Sequence, residues 1–123
     1  MPKAKRYMTP VKRLRPLRKP PPPLEKTIQR QIVQYLRLRG FYVYETSQGF
    51  RREGGGTRTT PGFPDLMAMV TGWPSLLFIE VKRPGGAVRP AQQQFRERAF
   101  HCNQTYLLAY SLDDVRTFLG DTP

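Results

Sequence analysis

Two short apolar runs in this chain each carry an acid at one end, and together they restrict the fold more than any other feature. Gly62-Phe63-Pro64-Asp65-Leu66 leads into Met67-Ala68-Met69-Val70, and Leu76-Leu77-Phe78-Ile79 leads into Glu80-Val81-Lys82, with Glu80 fifteen residues after Asp65. Both runs read as strands, and the short link Thr71-Gly72-Trp73-Pro74-Ser75 makes them an antiparallel hairpin. Ionised groups beside apolar strands are costly unless they have a partner or a task. Side chains alternate along a strand, so Glu80 and Lys82 share a face while Val81 turns away and offers its carbonyl. A symmetric five-residue turn centred on Trp73 would pair Asp65 with Val81 and split the acids. A four-residue turn, Thr71–Pro74, pairs Asp65 with Glu80, so an even turn or a bulge is expected.

Two carboxylates a few ångströms apart repel each other and need a counter-charge. Mg²⁺ or Mn²⁺ supplies it, prefers oxygen ligands, and activates a bound water. Lys82 would orient or deprotonate that water, or steady the charge that builds on the phosphorus. Glu25, in the first turn of the first helix, is a candidate third carboxylate, although the helix dipole alone also favours an acid there. For Asp65, Glu80 and Lys82 the rival explanation is a strand-edge salt bridge.

Charge points to the substrate. The chain of 123 residues has a net charge of +12, from 21 Lys and Arg against 9 Asp and Glu. Eight of the basic residues and none of the acids fall in residues 1–23, and the remainder is still basic. That balance favours nucleic acid as partner. Residues 1–23 read as a disordered basic arm, broken by Pro2, Pro10 and Pro16 and ending in the stiff run Pro20–Pro23. Its Lys12, Arg13, Arg15, Arg18 and Lys19 are candidate phosphate contacts. Residues 24–123 read as one domain.

Within that domain a helix is expected over 25–39, with Leu24, Ile28, Ile32, Tyr35 and Leu36 on one stripe and Gly40 as its stop. A strand follows from Phe41 to about Thr46. Residues 47–62 form a glycine-rich loop whose Arg51, Arg52 and Arg58 are candidate contacts to a nucleic-acid backbone. Pro90 suits the first turn of a helix running to about His101, with Phe95, Ala99 and Cys102 inward. Thr105–Tyr110 reads as a strand. Ser111 caps a last helix, with Val115, Phe118 and Leu119 toward the core. The expected order is α-β-β-β-α-β-α.

The single Cys102 excludes an internal disulfide, and the single His101 excludes metal sites that need a histidine pair. Adjacent in a helix, the two do not face each other and make no nucleophile pair. No apolar run approaches a membrane span, and the basic N-terminus lacks a signal-peptide core. An intracellular protein of the bacterial or phage-infected cytoplasm, with no membrane partner, is expected.

Pro64-Asp65 with Glu80-Val81-Lys82 resembles the PD-(D/E)xK nuclease superfamily. The fuller string adds Gly62-Phe63, Phe78-Ile79, Arg83-Pro84-Gly85-Gly86 and Arg89-Pro90-Ala91-Gln92, and is similar to the VRR-NUC branch over residues 24–119. The resemblance implies an α/β fold of the restriction-endonuclease type, a mixed central sheet flanked by helices. It implies metal ligands at Asp65, Glu80 and the Val81 carbonyl, with Glu25 as the acidic residue on helix one. Lys82 takes the catalytic-lysine position and Gln92 that of the helix glutamine beside the site. Gln93 and Gln94 follow directly, so the helix phase decides among them. Arg83 and Arg89 flank the motif as candidate DNA contacts; Arg89 stands where many members carry Ser.

These features together imply a Mg²⁺- or Mn²⁺-dependent DNA endonuclease, selective for Holliday junctions or other branched DNA in replication, recombination or repair. Small stand-alone members of the branch imply a homodimer; Tyr42, Tyr44 and Trp73 are candidates for its surface or for base stacking. A non-catalytic nucleic-acid-binding module and a sequence-specific restriction-type nuclease are the alternatives.

Overall fold

The structure, a computed structural model, describes residues 16–46 and 60–121. The first helix, α1 (Glu25–Leu38), buries Ile28, Ile32, Val33 and Leu36 as a single stripe. Each fully buried Ile or Leu stabilises the fold by about 1.5–3 kcal/mol. Glu25 in the first turn and Arg37 in the last oppose the helix dipole. Gly40, at φ +90°, turns the chain out of the helix, a conformation glycine takes without strain. Leu24 was expected on the buried stripe but is 60% exposed. It precedes the first helical turn with extended backbone, φ −67° and ψ 151°, so it has no core opposite it; Val33 completes the stripe instead.

The remaining elements are β1 (Tyr42–Glu45), β2 (Leu66–Met69), β3 (Leu77–Val81), α2 (Pro90–His101), β4 (Thr105–Ala109) and α3 (Leu112–Phe118). Their order is the expected one. The sheet runs β1-β2-β3-β4, antiparallel at the first two junctions and parallel between β3 and β4. The parallel junction requires a crossover, and α2 is that crossover. In the hairpin Leu66 faces Ile79, Met67 faces Phe78 and Ala68 faces Leu77. Continued one step outward, this register puts Asp65 opposite Glu80. Continued inward, it closes on Thr71 opposite Pro74, the even turn that the acids demanded.

One face of the sheet carries Val43, Leu66, Ala68, Leu77, Ile79, Val81 and Ala109 against α1 and Val115 of α3, in one continuous apolar cluster. The other face is covered by α2 over β4, and α2 does not pack on β1 or β2. Phe95 of α2 meets Phe78 edge-on at 5.0 Å and Phe63 at 5.2 Å between ring centroids. Cys102, expected inward, is exposed because α2 ends there as the chain turns toward β4. Phe118 is also exposed, its ring set edge-on to Trp73 at the surface, whereas Val115 is fully buried. Trp73 in turn meets Phe41 at 5.7 Å, which pins the hairpin turn to the end of α1. At α3 the Ser111 hydroxyl accepts from the Asp114 N–H at 3.3 Å, and Asp114 Oδ2 accepts from the Tyr110 N–H at 2.8 Å. The reciprocal cap is thus shifted one residue upstream of the expected box.

Of the expected arm, residues 16–23 are exposed and outside any helix or strand; the rest lies outside the described residues. Arg51, Arg52 and Arg58 also lie outside them. Among the described residues no helix is long and apolar enough to cross a membrane.

Candidate active site

Three constraints hold Asp65 in place. The Thr46 N–H donates to the Asp65 carbonyl at 2.9 Å, and the Thr46 hydroxyl donates to the Pro64 carbonyl, which ties the segment to the end of β1. Upstream, Gly62 sits at φ +81° against the first turn of α2, where a Cβ would collide with the Ala91 carbonyl. Across the hairpin, the Val81 N–H donates to Asp65 Oδ2 at 2.8 Å. An extended residue projects its N–H and C=O to the same strand edge, so the Val81 carbonyl also faces the Asp65 side.

Glu80 lies on the face of β3 that carries Phe78, toward α2. It is 3% exposed. Its Oε1 accepts from Gln92 Nε2 at 2.8 Å and lies 3.8 Å from Lys82 Nζ, itself on a buried side chain. Its Oε2 is buried with no hydrogen-bond partner among the described residues. Gln92 is the third residue of α2, and its Oε1 accepts from the Arg89 N–H at 2.9 Å. One amide therefore caps the helix and holds the acid. Arg89 has no side-chain acceptor for the helix, so Gln92 supplies the cap contact alone. Gln93 and Gln94 are exposed, and the helix phase thus selects Gln92.

The two acids are electrostatically coupled. Burial pushes the Glu80 carboxyl up, the charge of Asp65 pushes it further, and Lys82 opposes both; the result is about 8. Burial also raises Asp65, against the Val81 N–H and a hydrogen-bonding contact with Glu80 that lower it. Glu25 is close enough to raise both acids by its charge, yet it is exposed at the start of α1. At neutral pH the pair therefore holds a proton that a bare carboxylate would have released. Tyr106 of β4, on the same face, is pushed to about 12 by burial first and by Glu80 second.

This donor set suits a hard divalent cation. It offers oxygen alone, it includes a buried oxygen with no hydrogen-bond donor among the described residues, and its pairing of acids asks for positive charge. Among the described residues no three His, Cys, Asp or Glu side chains gather around one point. Around the site, Arg83 is half-buried in the turn after β3 and Arg89 is exposed at the start of α2. Arg18 and Lys19 are exposed; Lys12, Arg13 and Arg15 lie outside the described residues.

Sequence reasoning missed the close approach of Gly62 to Ala91 and the position of Tyr106. The positive φ of Gly62 was hinted at by a glycine just before the Phe-Pro-Asp segment. Tyr106 had no local signal, because its neighbourhood follows from the β3–β4 register.

A solved structure described as a VRR_NUC domain matches this fold with a TM-score of 0.60 at 21% sequence identity. The match covers 78% of this chain and 94% of that domain. The likeness establishes a shared VRR-NUC-type fold, as the sequence motifs implied. No protein-family model matches the chain, and no curated protein does.

Proposed function

We propose that this chain is a divalent-metal-dependent nuclease that hydrolyses phosphodiester bonds of DNA, with a preference for branched substrates such as the Holliday junction. The observation that carries the proposal is the buried Glu80 carboxyl beside Asp65, whose Oε2 has no donor among the described residues, in a chain whose net charge is +12. Without a cation the two acids relieve their repulsion by holding a proton between them, and a divalent ion would take that proton's place. The shared VRR-NUC-type fold supports the same reading, although a fold by itself does not specify a reaction.

Asp65, Glu80 and the Val81 carbonyl would hold Mg²⁺ or Mn²⁺, and Glu25 would add outer negative charge. When bound, the cation would polarise a phosphoryl oxygen and lower the pKa of a water. Gln92 orients Glu80 by occupying its Oε1, which leaves Oε2 for the site. Lys82 supplies a positive charge on the same face and would stabilise charge on the reacting phosphate. Arg83 and Arg89, with the basic arm and the segment carrying Arg51, Arg52 and Arg58, would meet flanking phosphates. One site cuts one strand, so symmetric cutting of a junction would take a homodimer.

The test is incubation of the full chain with labelled four-way junction, flap, duplex and single strand in Mg²⁺, Mn²⁺ or EDTA, beside Lys82→Ala. Metal-dependent cutting that disappears in Lys82→Ala is the expected result. Cutting that survives EDTA would overturn the metal role, and binding without cutting under any cation would leave a binding module.

A further inference from the structure

The sheet face that carries Asp65 and Glu80 extends well beyond them. Met67 and Met69 share the Asp65 face of β2, because they follow it at even spacing. Tyr44 lies opposite Met67 and Tyr42 opposite Met69 on β1. Among the described residues nothing covers these four, since α2 packs on the β4 side. Tyr42 is 65% exposed, Tyr44 49% and Met69 39%. Phe78, the β3 partner of Met67, lines an open groove of about 380 Å³ against α2 together with Phe63, and Gln94 and Arg98 line it from the helix.

We infer that this bare half of the sheet is a docking platform for an unpaired single strand of nucleic acid leading to the acidic pair. The inference rests on the nuclease reading for the identity of the substrate, and among branched substrates it favours those with a single-stranded arm, such as a flap, over the fully paired Holliday junction. Three observations select this occupant. Tyr42 and Tyr44 stand two residues apart on one strand, about 6.7 Å. That is twice the ~3.4 Å per nucleotide of a duplex strand, so it suits bases that have been pulled apart. Exposed aromatics on a sheet surface offer stacking area to such bases, which a closed duplex keeps hidden.

Positive charge lies at two borders of the face. Arg37 donates to the Val43 carbonyl at 3.4 Å and so borders the free edge of β1, while Arg98 borders the groove. Finally, the platform is continuous with the site: Thr46, the residue after β1, is the one that ties down Asp65. Trp73, grouped with these tyrosines on sequence grounds, lies between Phe41 and Phe118 and takes no part.

The experiment measures binding of the full chain in EDTA, at fixed salt, to a fluorescently labelled oligodeoxythymidylate and to a blunt hairpin duplex. Tyr42→Ala and Tyr44→Ala are each expected to weaken single-strand binding about tenfold, with duplex binding changed less than about twofold. Tyr→Phe at either position retains binding, since the ring rather than the hydroxyl stacks. Tyr44→Leu, which keeps an apolar side chain without a ring, behaves like the alanine variant and guards against a folding defect. Equal losses on both probes, or none on the single strand, overturn the platform. So does a dimer that dissociates in the tyrosine variants while strand binding persists, because the face then belongs to a second copy. Tyrosine-dependent strand binding by a chain that never cuts keeps the platform and removes the nuclease; metal-dependent cutting with no tyrosine effect does the reverse.

Discussion

The two faces of this sheet are built from the same four strands and do opposite things. The α1/α3 face is apolar at its centre, where Ile28, Ile32, Leu36, Leu66, Leu77 and Ile79 are fully buried, and turns polar only at its margin, where Glu45 accepts from Gln29 of α1. The α2 face carries a buried acid and a buried lysine, several aromatic rings set edge to face, and a half that no helix among the described residues covers. One face makes the fold stable enough to hold ionisable groups where they are expensive on the other. Labour is divided across one strand: in β3, Ile79 and Val81 secure the core while Glu80, between them, keeps a buried oxygen that no donor among the described residues satisfies.

If that division is real, substitutions should separate activity from stability. Asp65→Asn and Glu80→Gln should each reduce DNA cleavage by about 10³-fold, the equivalent of several kcal/mol of charge stabilisation. Their melting temperatures should not fall, and a melting scan beside the cleavage assay checks both halves. A parallel loss of folding would merge the two faces into one structural unit.

On the other face, Ile32→Ala removes a fully buried side chain from the α1 stripe. It should cost about 3 kcal/mol of stability in urea unfolding. Cleavage per folded molecule should be unchanged, and a kinetic defect in the folded fraction would show that the faces are coupled.

Gly62→Ala probes the seam between them. The substitution forces a Cβ toward the Ala91 carbonyl at a left-handed backbone position. A cost of about 2 kcal/mol is expected, with weakened cleavage because Asp65 and Gln92 lose their common reference. A stable variant with wild-type kinetics would mean that the close approach is incidental.

The acids also predict a pH dependence. Folding raises the Glu80 carboxyl from an ordinary 4.5 to about 8, so between these values the folded chain holds a proton that the unfolded chain has released. Stability contributed by this group is therefore complete below about 4.5 and is lost as pH rises toward 8, with a slope of at most about 1.4 kcal/mol per pH unit. Melting in EDTA should follow that direction, and Glu80→Gln should flatten it. Mg²⁺ competes with the proton, so its stabilising effect should be larger at pH 8 than at pH 5.5. A wild-type slope of the opposite sign would contradict the buried-acid assignment.

The smallest effect belongs to Gln92→Ala, which removes the Arg89 cap contact and the tether on Glu80 together. About 1 kcal/mol of stability should go. Because Glu80 is left free to turn, cleavage should fall as well, and Gln92→Glu should not rescue it, since that side chain brings a third negative charge to Glu80.

Much of this architecture was legible in the sequence because it is written in local terms. The 3.6-residue period of Ile28, Ile32 and Leu36 sets the buried side of α1, and Pro90 and Ser111 mark helix starts through their backbone chemistry. The even hairpin turn follows from parity, since any odd register would divide Asp65 from Glu80. What local chemistry left undecided were the residues whose surroundings are contributed by distant segments. Leu24 and Cys102 have the polarity of core residues, but the helices end where no partner lies opposite. Gln92 differs from Gln93 and Gln94 in rotation about α2 alone, and that rotation matters through the place of β3 beneath it. Tyr42 and Tyr44 read equally well as dimer surface or stacking platform, and only the seat of α2 over β4 shows that they are left bare. Sequence determined which groups are present and which face of their own element they share. Tertiary structure decided which of those faces are covered, because burial depends on the helix that crosses over and not on the residues beneath it.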